Sequence, residues 1–186
     1  MIDVLVIGAG PTGLLMAAEA ARFGLSCRII DKSPSPATQS RALAIQARTL
    51  ELFDHLGIVD LFLVRGLKIH AANPFSYQRR LAHLSFESLD SPYPFILSLE
   101  QSETESILTK YLSSFGVTIE REIELFDLKQ EKDRVIAFVR DKGQETAINA
   151  KWVVGCDGAH STTRKLLDFP FEGKAIPSIF SLADVE

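Results

Sequence analysis

Three glycines spaced as Gly8-x-Gly10-x-x-Gly13, with Pro11 and Thr12 between the last two, directly follow the apolar run Ile2–Ile7. A helix-type pattern, Leu14–Phe23, comes next, then a β-rich run, Ser26–Ile30, that ends on Asp31-Lys32. Strand, glycine turn, helix and strand in that order suit one chemistry, the holding of a dinucleotide. Gly8 permits the tight turn, Gly10 lets a pyrophosphate approach the backbone, and Gly13 lets helix and strand pack closely. The free N–H groups and positive end of the helix then face the phosphates. Asp31 can accept hydrogen bonds from a ribose hydroxyl, and a free carboxylate there disfavours the 2′-phosphate of NADP. The pattern predicts an ADP-containing dinucleotide and is silent between NAD and FAD.

Other candidates carry less by themselves. Arg41, in Ser40-Arg41-Ala42, reads as a surface arginine, and Gln101 as a residue at the start of a helix. The run Cys156-Asp157-Gly158-Ala159-His160-Ser161-Thr162-Thr163-Arg164 follows a buried-type strand, Trp152–Cys156. Asp157, His160 and Ser161 are the residue types of a hydrolytic triad, but triads arise by spatial convergence and this spacing supplies no orienting geometry. His55, His70 and His83 have no partner at metal-ligand spacing, so no metal is expected. Phe75, Tyr77, Arg79 and Arg80 interleave aromatic and basic side chains as single-strand binders do. The chain as a whole has 20 Lys and Arg against 24 Asp and Glu, a net charge of −4, and nucleic acid is not expected as a partner.

The elements that must position these residues are legible as patterns. A Ser- and Pro-rich loop spans Lys32–Ser40, and Ala44–Leu56 reads as one helix closed by Gly57. Short β-like runs follow at Leu67–Ala71, Leu81–Phe86 and Phe95–Leu99. Ser102 and Glu105 read as a capping box ahead of the stripe Ile107, Leu108, Tyr111, Leu112 and Phe115. Residues Val117–Ala150 predict a strand and a meander with turns at Lys132-Asp133 and Lys142-Gly143. A short helix at Thr162–Leu167 and a strand at Ile176–Val185 complete an α/β pattern.

With 46% apolar and 24% charged residues over 186 positions, the chain has the composition of a globular protein with a real core. Cys27 and Cys156 lie in apolar stretches and read as buried structural thiols. Asp3 is the only charge before Glu19, so the N-terminus lacks the basic region of a signal peptide. No uninterrupted apolar stretch is long enough for a membrane span. A cytoplasmic location is the expectation.

The fingerprint, Ser40-Arg41-Ala42, Gln101 and the Cys156–Arg164 run, in this order, resemble the class A flavoprotein aromatic hydroxylases, the p-hydroxybenzoate and phenol hydroxylase family. The resemblance covers nearly the whole chain. It implies a Rossmann-like FAD-binding fold with a parallel sheet, a β-meander crossover and part of an antiparallel substrate-domain sheet. It implies FAD as cofactor, NAD(P)H as reductant, and a small aromatic molecule and oxygen as substrates. The residues it assigns to the cofactor are Gly8, Gly10, Pro11, Thr12, Gly13, Asp31 and Lys32 in the fingerprint. It adds Arg41 at the flavin, Gln101 at the phosphate–ribitol region, and Asp157 and Gly158 near the pyrophosphate. Arg164 would support that motif or the path of the reductant. Asp31 stands where the family usually has Glu, one methylene longer.

On this resemblance residues 1–65 and 100–170 form the FAD-binding domain, and 66–99 and 171–186 supply strands of a truncated substrate domain. The family's third signature, a Gly-Asp pair far downstream, has no counterpart here, since Gly173 precedes Lys174. Two readings follow: the FAD-binding portion of a monooxygenase, or a flavin- or nucleotide-binding remnant without independent catalysis. A homo-oligomer or partner chain would then complete the sheet. A simple NAD dehydrogenase would leave the Asp157–Arg164 run without a purpose.

Overall fold

The computed structural model describes residues 1–36 and 43–174. The chain runs β1 (Ile2–Ile7), α1 (Pro11–Arg22), β2 (Cys27–Asp31), β3 (Ala44–Ile45), α2 (Ala47–His55) and α3 (Val59–Leu63). Six short strands follow: β4 (Leu67–Ile69), β5 (Ala71–Ala72), β6 (Phe75–Ser76), β7 (Arg79–Arg80), β8 (Leu84–Ser85) and β9 (Ile96–Ser98). The remainder is α4 (Gln101–Ser113), β10 (Ile119–Arg121), β11 (Ile123–Gln130), β12 (Val135–Asp141), β13 (Gln144–Gly155) and α5 (Thr162–Leu166).

The main sheet has the order β10-β2-β1-β13-β12-β11. β1 is apolar on both faces because it is central, with β2 and the end of β13 parallel on either side. β13 joins two kinds of sheet: its first half pairs antiparallel with β12, and from Ala150 it runs parallel to β1. The last strand of the meander and the separate strand read at Trp152–Cys156 are therefore one 12-residue strand, Gln144–Gly155. Asp3 fixes the base of β1 by accepting from the Ser26 N–H and hydroxyl and pairing with Lys151 at 2.7 Å. Lys151, ahead of Ser26, holds the Asp3 carboxyl well below the usual carboxylate range.

Each face of this sheet buries one cluster. Leu14, Ala17 and Ala18 of α1 and Ile107, Leu108 and Leu112 of α4 pack with Val4, Val6 and Ile29. The small alanines bring α1 close to the sheet. On the other face Leu5, Ile7 and Ile30 meet the inward residues of the meander, Leu125, Ala137, Val139 and Ile148. Each fully buried Leu or Ile contributes roughly 1.5–3 kcal/mol.

Several expectations need correction. Residues 44–56 are not one helix: Ala44 and Ile45 form β3, paired with β9, and only Ala47–His55 is helical. Ile45 is drawn into the strand because it pairs with Leu97, which no local pattern reveals. The helix α3 and the ribbon β6–β7 were not read from the pattern. The Ser102–Glu105 capping box does not form. The helix begins at Gln101 with Glu100 as its N-cap, which places Ser102 inside the first turn, where its hydroxyl bonds Glu100 instead. Trp152, read as buried, is 71% exposed. The strand proposed for Ile176–Val185 lies outside the described residues. Cys27 and Cys156 are half-buried free thiols, and burial pushes the Cys27 thiol up to about 11.

α1 begins three residues earlier than its apolar pattern suggests, with Pro11 in the first turn, where its missing N–H costs nothing. The Gly13 Cα lies against the Gly8 carbonyl, so an added Cβ would overlap that oxygen. Gly13→Ala must therefore pry α1 from β1. The expected loss is on the order of 3 kcal/mol of folding stability, read from urea denaturation midpoints.

Candidate cofactor-binding site

The C-terminal ends of the parallel strands deliver three loops to one cleft of about 600 Å³. This is where ligands bind in open α/β sheets. Gly8, Gly10, Pro11 and Thr12 line it from the β1–α1 turn. Asp31 and Lys32 line it from the end of β2, Gln101 from the start of α4, and Asp157 and Gly158 from the loop after β13. Gly13 does not face the cleft; it is spent on the helix–strand contact. Arg41 lies outside the described residues.

The turn is shaped to leave space and donors. Gly8 has φ +98°, and a Cβ there would sit 2.5 Å from the Cys156 carbonyl oxygen. Gly10 has nothing within 4 Å of its Cβ position. It is the N-cap of α1 and contributes no capping side chain, and the first turn holds no acidic residue. Leu14 is the residue whose N–H reaches back to the Gly10 carbonyl, at 2.9 Å, so the N–H groups of Thr12 and Gly13 have no helical acceptor. An anion is the natural partner for them.

Asp31 is not a free carboxylate. One oxygen accepts the Ala9 N–H and the other the Ser33 N–H, both at 2.7 Å. Arg121, at the end of β10, stands 3.7 Å from it. A carboxylate has about four acceptor positions, so a ribose hydroxyl can still be received.

Asp157 is equally engaged. It accepts the Ser161 hydroxyl at 2.6 Å and the Thr163 N–H at 3.0 Å. Ser161 in turn caps α5 by accepting the Arg164 N–H at 2.9 Å. The hydroxyl is thus used twice inside its own loop. Arg164 donates to the Ala159 carbonyl at 2.9 Å and closes the loop from outside. Gly158, with φ +77°, makes the turn that these bonds hold.

Sequence reasoning missed Glu105, Arg121 and Glu124, all of which line the cleft. Glu105 was read as a helix cap, yet it is a 5% exposed carboxylate that accepts the Gln101 amide at 2.7 Å. The i, i+4 spacing of Gln101 and Glu105 was the available signal.

A doubly flanked parallel sheet whose strand ends present a glycine turn and helix N-terminus defines a dinucleotide-binding domain. The chain matches the FAD binding domain family over residues 1–186, and it belongs to that family. It is 39% identical over 175 residues to 6-methylpretetramide 4-monooxygenase of Streptomyces rimosus, covering 93% of this chain and 31% of that protein. It is 35% identical to pentachlorophenol 4-monooxygenase of Sphingobium chlorophenolicum, covering 92% and 32%. The solved OxyS anhydrotetracycline hydroxylase from Streptomyces rimosus superposes with a TM-score of 0.85 at 33% identity, covering 94% of this chain and 35% of that one. The chain thus spans about a third of the length of these relatives. FAD is the cofactor of the family, and the open Gly10 position and unpartnered α1 N–H groups fit its diphosphate. Among the described residues no helix is long and apolar enough to cross a membrane.

Two outcomes are expected. Gly10→Arg places a side chain in open space, so stability should stay within about 0.5 kcal/mol, while bound flavin, read from its visible absorption, is lost. The second concerns pH. Partial burial raises the Asp157 pKa, but the Ser161 hydroxyl and neighbouring N–H groups outweigh it and hold the carboxyl below its ordinary value. A lowered native pKa stabilises the fold above the unfolded value of about 3.9, and that contribution disappears as the pH falls through the native value. Asp157→Asn should therefore be less stable than the parent at neutral pH, with the gap narrowing below about pH 4. Urea midpoints across pH 3–7 (an approximate range set by the aspartate pKa) would show it; a gap that stays constant would contradict the assignment.

Proposed function

We propose that this chain is the FAD-binding portion of an NAD(P)H-dependent flavoprotein monooxygenase that hydroxylates an aromatic or related small molecule. The observation that carries the reading is the interlock of two loops far apart in sequence. The Gly8–Gly13 turn and the Asp157–Arg164 loop touch backbone to backbone and line the same cleft. A dehydrogenase site needs only the first of them. The names of the relatives, each a monooxygenase or hydroxylase, support the reaction class.

The chemistry supplied by the bound cofactor is acceptance of a hydride from NAD(P)H and activation of oxygen for transfer of one atom to a ring. The residues described here bind and orient. The Thr12 N–H at the start of α1 would receive the diphosphate, and Asp31 would accept a ribose hydroxyl. Lys32 and Arg121 offset part of the negative charge. Gln101 would meet the ribityl segment, and Asp157, by holding its own loop, would keep Gly158 in place for the diphosphate. Arg41 is assigned to the flavin on its sequence context alone. No acid–base pair is required of these residues, since they position the cofactor and do not move substrate protons.

The ribbons β5–β8 and β6–β7 each have two strands, with Phe75, Tyr77, Leu81 and Leu84 exposed. Two-stranded ribbons are marginal by themselves. This supports reading residues 66–99 as the start of a substrate-facing sheet whose other strands come from further chain or from a partner.

Purified protein is expected to carry or retain one equivalent of FAD with a flavin spectrum, and NAD should not displace it. Colourless protein that ignores added FAD but binds NAD would sink the reading. In the protein that carries this domain, NAD(P)H-dependent oxygen uptake should rise on addition of the aromatic substrate.

A further inference from the structure

Gln101 and Glu105 form a pair that the fold alone does not require. Both line the cofactor cleft, one turn apart on α4. Glu105 is buried as a residue, yet its carboxylate caps no helix. Among the described residues its hydrogen-bonding partner is the Gln101 amide, whose Nε2 donates to Oε1 at 2.7 Å. A carboxylate in a cleft that must receive a diphosphate is electrostatically adverse, so a reason for its place is needed.

The two ends of a glutamine amide differ only in what they can do: Nε2 carries two donors, and Oε1 only accepts. The Glu105 oxygen accepts in this contact. It therefore selects one of the two amide orientations, with Nε2 facing Glu105 and Oε1 turned away from it. The opposite orientation would set two acceptors against each other in a poorly hydrated place, a costly arrangement.

We propose that Glu105 is a positioning residue that locks the Gln101 amide so that Oε1 is offered as an acceptor to a hydroxyl of the cofactor. The inference rests on the FAD reading above and deepens it. A phosphate oxygen only accepts and has no use for Oε1. In that reading Asp31 takes the adenosine ribose, which leaves the ribityl hydroxyls of the flavin nucleotide as the matching donors. The lock costs little on binding because the amide is ordered beforehand.

The test compares FAD with ADP, which shares the diphosphate and adenosine but lacks the ribityl chain, by calorimetric titration of the chain. Glu105→Met keeps side-chain length and removes the acceptor. It is expected to weaken FAD about fivefold to tenfold, the worth of one net hydrogen bond, and to leave ADP within about twofold. Gln101→Ala should give the same selective loss. The double variant should be no weaker than Gln101→Ala alone, because Glu105 acts through that amide. Glu105→Gln, which can still accept, should recover part of the FAD affinity. A parallel loss of FAD and ADP in Glu105→Met would mean a structural role and overturn the inference. So would unchanged FAD affinity, or losses that multiply in the double variant. If the unsubstituted chain binds ADP but not FAD, the flavin reading itself falls, a result distinct from any of these.

Discussion

Three backbone segments meet at Gly8 with no room for a side chain. The Gly8 carbonyl presses on the Gly13 Cα, and the Cys156 carbonyl and Asp157 Cα press on the Gly8 Cα. The Cys156 N–H donates to the Ile7 carbonyl at 2.7 Å, and the Gly8 N–H to the Ile30 carbonyl at 2.8 Å. The ends of β1, β2 and β13 and the start of α1 are thereby tied to one point. A helix can start this close to the strand it follows only because glycines stand at the crossing. The glycine turn, the end of β2 and the loop after β13 take their positions from that contact.

The charged side chains then act on an arrangement already made. Asp31 ties β2 to the glycine turn through the Ala9 N–H, and Asp157 ties the second loop to α5. Arg28 and Glu120 form a two-bond fork, 2.6 and 2.7 Å, that fixes β10 on the edge of β2. That fork sets the register Arg121↔Asp31, and so brings a cation to the acidic end of β2. Side chains that look like ligands in sequence serve first to hold backbone. Function then falls to the donors and open space that the backbone presents.

What the sequence reveals follows from the range of each interaction. The glycine turn and Asp31 were legible because strand, turn, helix and strand are neighbours in the chain, and each glycine has a local steric reason. The meander was legible through alternation and its two turns, Lys132-Asp133 and Lys142-Gly143. The identity of Ile45 was not, because its helical spacing is overruled by pairing with Leu97. Glu105 fits a capping box by spacing, but the helix starts earlier and its carboxylate turns to Gln101. Arg121 carries no motif at all. It enters the cleft through the pairing of two strands separated by α4 and much of the chain.

The charge of the cleft has a consequence for how an anionic cofactor is held. Among the described residues the lining carries four carboxylates, Asp31, Glu105, Glu124 and Asp157, against two cations, Lys32 and Arg121. Side-chain charge therefore does not draw in a diphosphate. Among the described residues the attraction then comes from neutral donors, the unpartnered N–H groups of α1, which carry only partial positive charge. Such donors act at hydrogen-bond distance and discriminate by geometry, where a lysine would attract any anion. Three of the four carboxylates are meanwhile occupied: Asp31 and Asp157 by backbone N–H groups, Glu105 by the Gln101 amide. A site built this way selects a ligand that fits the turn and also brings hydroxyl donors for the remaining acceptors. A nucleotide with sugar or sugar-alcohol hydroxyls on both sides of its diphosphate has that pattern.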